Sequence, residues 1–217
     1  MPRLEWDKYG ERIIETGDKK GVLFPTNSSG QYTTGVAWNG LTAVTETPSG
    51  ADSNPLYADD IKYINIRGAE DFGITIEAYT YPNEFAECDG SKFVLPGVKI
   101  GQQKRKTFGF SYVSTVANDT EGLDYGYKIK LVYGLTASPS ERSHSTINDS
   151  PEGITFSWEC DSTPVPLEGH KPVSIITIES TSVDPTKLAA LEAILYGTDN
   201  TSSRLPMPDE VVALFSN

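Results

Sequence analysis

Apolar and polar residues alternate along much of this chain, which is the pattern of strands that bury one face. Apolar side chains occupy every second position of Phe72–Tyr81 and Tyr125–Thr136. Less extended versions of the pattern predict strands at Ile61–Arg67, Lys106–Val116 and Ile154–Cys160. The chain is therefore predicted to be mainly β.

Three more segments fit strands with less regular patterns. Tyr9–Phe24 predicts two strands around the glycine-flanked turn Gly17–Gly21, and Gly35–Thr47 predicts one further strand. The near-continuous apolar segment Val173–Glu179 predicts a strand that is buried on both faces. Stretches rich in polar residues, proline or glycine predict long loops at 26–34, 48–55 and 138–151.

Helical signals are few. Pro82 can occupy the first turn of a helix, and Glu84 favours its positive end, so a short acidic α-helix is predicted before Gly90. Asp184 and Pro185 predict a capped helix that ends at Tyr196. A last short helix is predicted at 209–215.

These elements predict a single domain over residues 1–217, built as a two-sheet β-sandwich or barrel with a short flanking α-helix and a C-terminal helix. The segments expected outside its compact part are an N-terminal arm at about 1–10, a long loop at about 46–60 and a C-terminal helical extension at about 184–217. Long polar loops need a role in a compact protein, so contacts with other subunits are expected there.

The net charge of −12 argues against tight binding of DNA or RNA, which requires a basic surface. Two cysteines, Cys88 and Cys160, predict free thiols in a reducing cytoplasm rather than a disulfide scaffold. No apolar run reaches the length of a membrane span, and the polar N-terminus lacks the apolar region of a signal peptide.

The residues that could carry catalysis are sparse. Ser143 and His144 are adjacent in a loop, which does not make a catalytic triad, and Glu84 and Glu87 are more typical of a solvated helix face than of a glycosidase pair. No spacing typical of a zinc site, phosphate loop or dinucleotide fold is present, so neither enzyme activity nor a cofactor is expected. Asn118–Asp124 is rich in oxygen ligands; a calcium site remains open, and a hairpin turn is favoured.

Several blocks, taken in order, resemble those of one protein family. The first is FGITIEAYTYPNEFAECDG (Phe72–Gly90), in which a strand turns directly into a short acidic helix. The other blocks are Tyr9–Pro25, Leu56–Ile66, Gly101–Tyr112, Asn118–Gly134, Ser145–Glu159 and Leu188–Gly197. Their order and spacing resemble the major tail proteins of bacteriophages with long, non-contractile tails, over roughly the whole chain.

The resemblance implies a structural virion protein, made in the host cytoplasm, that polymerises with itself. Its hexameric rings would stack into the tail tube, which holds the tape-measure protein and later conducts DNA. Tail-tip and tail-terminator proteins would be further partners, and DNA would pass without specific binding.

Two groups of residues are candidates for these roles. A basic run is expected to meet acidic residues of a neighbouring subunit; the two sets are Lys104, Arg105 and Lys106, and Asp59, Asp60, Glu70 and Asp71. Polar residues opposite the apolar faces of two strands are expected to line the bore: Thr75, Glu77, Ser157 and Glu159. The alternative is that both glutamates face outward or pair with Lys128 or Lys130.

A carbohydrate-binding β-sandwich is a second interpretation of the composition. The chain has 11 tyrosines and 3 tryptophans, which is enough for a platform on which a sugar could stack. Such a module would be a monomer, so the oligomeric state distinguishes it from a tube subunit.

Overall fold

The computed structural model describes residues 3–144, 146 and 153–216. Strands dominate it, which confirms the predicted mainly β class. A 3-10 helix lies at Asn83–Glu87, between the sixth and seventh strands. The strands and α-helices are β1 (Ile13–Pro25), β2 (Val36–Trp38), β3 (Leu41–Gly50), β4 (Ser53–Ala58), β5 (Ile61–Arg67), β6 (Glu70–Ala78), β7 (Lys92–Leu95), β8 (Val98–Ile100), β9 (Phe108–Asn118), β10 (Gly122–Ala137), β11 (Phe156–Ser162), β12 (Ile175–Glu179), α1 (Pro185–Tyr196) and α2 (Pro208–Ser216).

Eight antiparallel strands form one sheet that folds into two layers. The first layer has the order β2-β1-β9-β10, and β12 continues it along the free edge of β10. The second layer has the order β11-β6-β3, and β11 joins it to the last residues of β10. Val44 of β3 donates its backbone N–H to the Asp18 carboxylate of β1, so the far edges of the two layers also meet.

The long strand β10 serves both layers because its backbone changes direction at Gly134. This glycine has φ of 61°, and the pairing with β9 shifts between Val132 and Leu135. Such a bulge bends a strand and resets which side chains face inward. Ile129 and Leu131 therefore face the helices, whereas Leu135 faces the space between the layers.

The core between the two layers is aromatic. Trp38, Phe85, Phe110 and Trp158 are all at most 3% exposed, and their rings meet at tilted or edge-to-face angles. The 3-10 helix contributes Phe85, so it closes one end of the sandwich. Since edge-to-face aromatic pairs stabilise beyond the burial of their area, this cluster anchors the fold.

A second core lies on the outer side of the first layer, beneath α1 and α2. Leu188, Leu191 and Leu195 of α1 pack there against β9, β10 and β12, together with Val211 of α2. The predicted cap is confirmed, because the Asp184 carboxylate accepts hydrogen bonds from two backbone N–H groups of the first turn. The predicted last helix is present as α2.

Two sequence predictions about the first strands are wrong. Tyr9–Phe24 does not form two strands, because β1 runs through Gly17–Gly21 and absorbs the extra residues as bulges against β9. Gly35–Thr47 forms two strands rather than one, separated by Asn39-Gly40. β2 and β3 pair with different neighbours, so this turn carries the chain from one layer to the other.

Four further local predictions need correction. Most of the segment predicted as a long loop, 46–60, lies in β3 and β4. The segment before Gln103 was predicted as a loop and contains the hairpin of β7 and β8. The short helix after Pro82 is a 3-10 helix rather than an α-helix. Ile154 was predicted to be a buried strand residue, but it precedes β11 and is 37% exposed. The predicted loop 138–151 and the block Ser145–Glu159 lie partly outside the described residues.

Candidate functional site

The second layer exposes a polar surface that contains all four residues predicted to line a bore. Ser157 lies opposite Glu77 in the pairing of β11 with β6, and Glu159 lies opposite Thr75. Their inward neighbours, Ile74, Ile76, Trp158 and Cys160, are buried in the aromatic core. The alternation of both strands therefore holds the four polar side chains together on the outer face.

This surface extends further than the sequence analysis indicated. Asp161 lies opposite Gly73, and Thr45 and Thr47 of β3 lie opposite Thr75 and Gly73. Asp71 belongs to the same face because it is two residues before Gly73 on β6. We call this surface the acidic face; its members are Thr45, Thr47, Asp71, Thr75, Glu77, Ser157, Glu159 and Asp161. Continuing the period-two pattern to the strand ends would have found Asp71 and Asp161.

The charge of the acidic face is uniform. β3, β6 and β11 contain six carboxylates and no lysine or arginine. At one end, Asp71 and Asp161 border an open cavity of about 390 Å³, whose walls include Thr47 and Ser162. A surface of this kind repels polyanions at neutral pH and offers hydroxyl groups to water.

Lys128 and Lys130 pair with other carboxylates than Glu77 and Glu159, so the pairing form of the alternative is wrong, whereas the form in which both glutamates face outward stays open. The Lys128 ammonium lies 3.0 Å from Glu15 and 3.2 Å from Glu179. Lys130 lies 3.1 Å from Glu15 and 2.8 Å from Glu46. Both lysines are on the inner side of β10, where they close the polar end of the sandwich.

Lys128, Lys130 and their partners Glu15, Glu46 and Glu179 form the inner ion-pair network. Burial and charge act in opposite directions on the pKa values of Glu15 and Lys130. Partial burial would raise the pKa of Glu15, but hydrogen bonds from Lys128 and Lys130 outweigh it and hold that pKa below its ordinary value. Burial would likewise lower the pKa of Lys130, yet the carboxylates of Glu46 and Glu15 raise it. Glu15 and Lys130 are therefore both charged at neutral pH.

Strands β4 and β5 form a hairpin that belongs to neither layer; we call it the projecting hairpin. They pair with each other and with no other strand of the described chain. Seven residues at about 3.3 Å per residue give it a reach of roughly 20 Å. A two-stranded hairpin alone is at best marginally stable in water, so this element requires a partner to be rigid.

Several large side chains of the projecting hairpin are apolar and yet exposed. Leu56 and Ile64 lie directly opposite each other and share one face with Ile66, and all three are 46–50% exposed. Tyr57 and Tyr63 are more exposed still, at 69% and 72%. Exposed apolar patches of this type mark contacts with other proteins.

The four acidic residues that were predicted to meet the basic run of a neighbouring subunit lie in two separate parts of the fold. Asp59 and Asp60 form the tip of the projecting hairpin, both with positive φ, whereas Glu70 and Asp71 lie beyond its base at the start of β6. The predicted acidic patch is therefore not one surface. Asp71 belongs to the acidic face instead.

The basic run is mostly engaged inside the chain. Arg105 lies 3.8 Å from the Asp89 carboxylate and donates to the backbone oxygen of Ala137 at 2.9 Å. Lys106 forms an ion pair with Glu87. Lys104 is exposed and has no ion pair among the described residues. Lys104 is therefore the member of the basic run that has no partner among the described residues, and the contact of the run with a neighbouring subunit stays a prediction.

The remaining candidates are accounted for by local structure. The Asn118 side chain accepts hydrogen bonds from the backbone N–H groups of Thr120 and Glu121, which stabilises a turn. Asp119 accepts one from the backbone N–H of Gly10, so both side chains of the segment considered for calcium have partners within the chain. No group of three potential ligands for a metal occurs in the described part of the chain. Cys88 and Cys160 are buried free thiols, and burial raises the pKa of Cys88 to about 12.

The tryptophans bear on the carbohydrate-binding interpretation. Trp38 and Trp158 lie in the aromatic core, and only Trp6, in the N-terminal arm, is exposed. The tryptophans of the described residues therefore do not form a common platform for a sugar, whereas tyrosines such as Tyr57 and Tyr63 remain exposed.

No protein-family model matches this chain, and no curated protein matches its sequence. None of the helices in the described segments is long and apolar enough to cross a membrane. The proposed function therefore rests on the acidic face and the projecting hairpin.

Proposed function

We propose that the protein is a tail tube subunit of a long, non-contractile phage tail. Copies of the chain assemble into rings of six, and the rings stack into a tube. The tube encloses the tape-measure protein, ends at tail-tip and terminator proteins, and later conducts DNA. Its mature location is the virion.

The projecting hairpin is the observation that carries this proposal. Its apolar side chains are exposed, and among the described residues its two strands pair only with each other. The free energy of burying apolar surface, about 25 cal/mol per Å², becomes available only when another molecule covers the hairpin. A chain that polymerises supplies this cover with a second copy of itself.

The acidic face supports the role of a conduit. In a closed ring the second layer would face the bore, and each carboxylate would be repeated around it. Water in a wide bore screens such repeated charges from one another. DNA that passes through would meet carboxylates rather than the cations that bind phosphates, so it would not be held.

The test is the assembly state of the purified full-length chain. We expect rings or tubes in negative-stain electron micrographs at high concentration, or after addition of tail-tip complexes as seeds. Light scattering should show a mass that rises with concentration. A protein that stays monomeric at high concentration and also fails to extend tail-tip complexes would contradict the proposal.

A further inference from the structure

A pocket near the 3-10 helix joins three segments that are distant in the sequence. Asp89 follows the helix, Arg105 precedes β9, and Arg142 follows β10. The pocket has a volume of about 510 Å³, and its walls also include Gly90, Ser91, Gly101, Gln102, Gln103, Pro139 and Ser140. Its volume is sufficient for a small organic ligand or for a few side chains.

Both arginines converge on the one buried carboxylate. The Asp89 side chain is 7% exposed, and it forms an ion pair with Arg142 and a longer one of 3.8 Å with Arg105. Two guanidinium groups against one carboxylate leave the pocket with a net charge of +1. This local charge is opposite in sign to the net charge of the chain, −12.

The guanidinium groups are held in place by contacts other than Asp89. Arg142 lies over the rings of Tyr81 and Phe156, with its central carbon 5.5 and 5.7 Å from their centroids. Arg105 packs on Gly90, where an added Cβ would come within 3.2 Å of the arginine side chain. Positions fixed in this way lower the entropy that binding of an anion would cost.

Each arginine retains donors that Asp89 does not use. A guanidinium has five N–H groups, and the hydrogen bonds among the described residues involve one nitrogen of Arg142 and one of Arg105. Both side chains are also partly exposed, at 25% and 30%. Planar donor groups of this kind match a carboxylate in a bidentate arrangement.

We propose that this pocket is a binding site for a carboxylate. The ligand has two possible sources, which are a small free carboxylate and an acidic side chain of a second copy. The projecting hairpin presents such side chains, since Asp59 and Asp60 lie together at its exposed tip. The second source rests on the proposed assembly, whereas the first does not.

The direct test uses sodium succinate as the probe and the full-length chain at a concentration at which light scattering shows single subunits. Succinate should shift the arginine Nε–H resonances of Arg105 and Arg142 saturably in NMR spectra, and sodium chloride at equal ionic strength should not. Arg142→Gln should weaken binding about tenfold or more, because a hydrogen bond to a charged group is lost. Lys104→Gln makes the same change of charge outside the pocket walls and should alter binding less than twofold.

A second variant covers the case in which Arg142→Gln does not fold. Gln102→Glu keeps both arginines and adds a negative charge to the pocket wall, so it should also weaken succinate binding severalfold. Gln31→Glu is its control, since Gln31 is exposed and lies elsewhere. Absence of saturable binding to the native chain would overturn the proposal, as would equal weakening by the pocket variants and their controls.

A peptide distinguishes the two sources. The probe is the hairpin tip, residues 57–63, and its control has both aspartates replaced by asparagine. Displacement of succinate by the acidic peptide alone assigns the site to a second copy. Binding of succinate without displacement by either peptide assigns it to a free carboxylate. Either result is independent of whether tubes form, so failure of the pocket and failure of the proposed function can be separated.

Discussion

Phe85 shows how a single residue connects the helical turn to the core. It is fully buried and meets the rings of Trp38, Tyr81, Phe108 and Trp158 at centroid distances of 4.6–6.2 Å. The 3-10 helix has only five residues and cannot be stable alone. Its position therefore depends on this side chain.

We expect Phe85→Ala to lower the free energy of unfolding by about 3–5 kcal/mol, because it leaves a cavity in a rigid aromatic cluster. Phe93→Ala is the matched control, since Phe93 is 43% exposed on β7, and it should cost less than about 1 kcal/mol. Urea unfolding followed by circular dichroism measures both. Similar losses for the two variants would contradict the assignment of Phe85 to the core.

The inner ion-pair network predicts a dependence of stability on pH. The pKa of Glu15 in the folded chain lies below its ordinary value of 4.5, so its contribution is present above pH 4.5 and is lost as the pH falls through the folded pKa. Glu15→Gln should therefore lower the melting temperature at pH 7 and lose this difference from the native chain as the pH falls through the folded pKa of Glu15, below 4.5.

The control for this experiment is Glu11→Gln, because Glu11 is exposed and has no ion pair among the described residues. It should leave the melting temperature nearly unchanged at both pH values. A difference between the native chain and Glu15→Gln that stays constant from pH 7 to pH 3 would show that the Glu15 charge does not stabilise the fold.

At the scale of elements, the projecting hairpin differs from every other pair of long strands. It has its own ladder of hydrogen bonds, but neither face lies on a core. Its side chains therefore add little to the packing of the two cores, and under the proposed function its apolar residues contact a second copy of the chain. Deletion of Ser49–Asn54 would not isolate the hairpin, because Ser49 and Gly50 belong to β3 and pair with β6.

Replacing Leu56 and Ile64 together by serine should leave the melting temperature within about 2 °C of the native value, since both side chains are exposed. The same change should abolish or strongly reduce tube formation, because the apolar contact with a second copy is lost. Leu123→Ser is the control, as Leu123 is 65% exposed near the start of β10. Sedimentation and electron microscopy measure assembly; normal yields of tubes from the double variant would exclude the hairpin as a contact.

At the scale of the whole molecule, charge is distributed by surface. The acidic face contains no basic side chain, whereas Arg105 and Arg142 concentrate positive charge around the pocket near the 3-10 helix. A monomer in solution gains nothing from this separation. In a tube it would place repulsion toward DNA on one surface and attraction between subunits on another.

We expect Glu77→Lys and Glu159→Lys to fold and assemble normally, because both positions are on the solvated face. Tubes of either variant should bind DNA, with each added phosphate contact steepening the salt dependence by about 0.9 in log–log slope. Phage that carry these tubes should eject DNA more slowly. Glu121→Lys, in an exposed turn, is the control of equal charge. Unchanged DNA binding and ejection for both bore variants would remove these residues from the bore.

The sequence by itself determined the features that depend on neighbours along the chain. Alternation assigned Thr75, Glu77, Ser157 and Glu159 to one side of their strands, because successive residues of a strand point to opposite faces. The cap at Asp184 was equally predictable, since its bonds reach only the next turn. These assignments need no knowledge of which strands pair.

Only the tertiary structure decided the features that depend on pairing between distant segments. Gly17 has a positive φ, which is compatible with a turn as well as with a bulge. Only the pairing of β1 with β9 shows that it lies in a bulge. The pocket around Asp89, Arg105 and Arg142 could not be found from spacing, because three separate segments build it. Most of the segment predicted as a loop at 46–60 forms strands because partner strands satisfy the hydrogen bonds of its backbone. Its polar residues do not show the apolar alternation that would have predicted these strands.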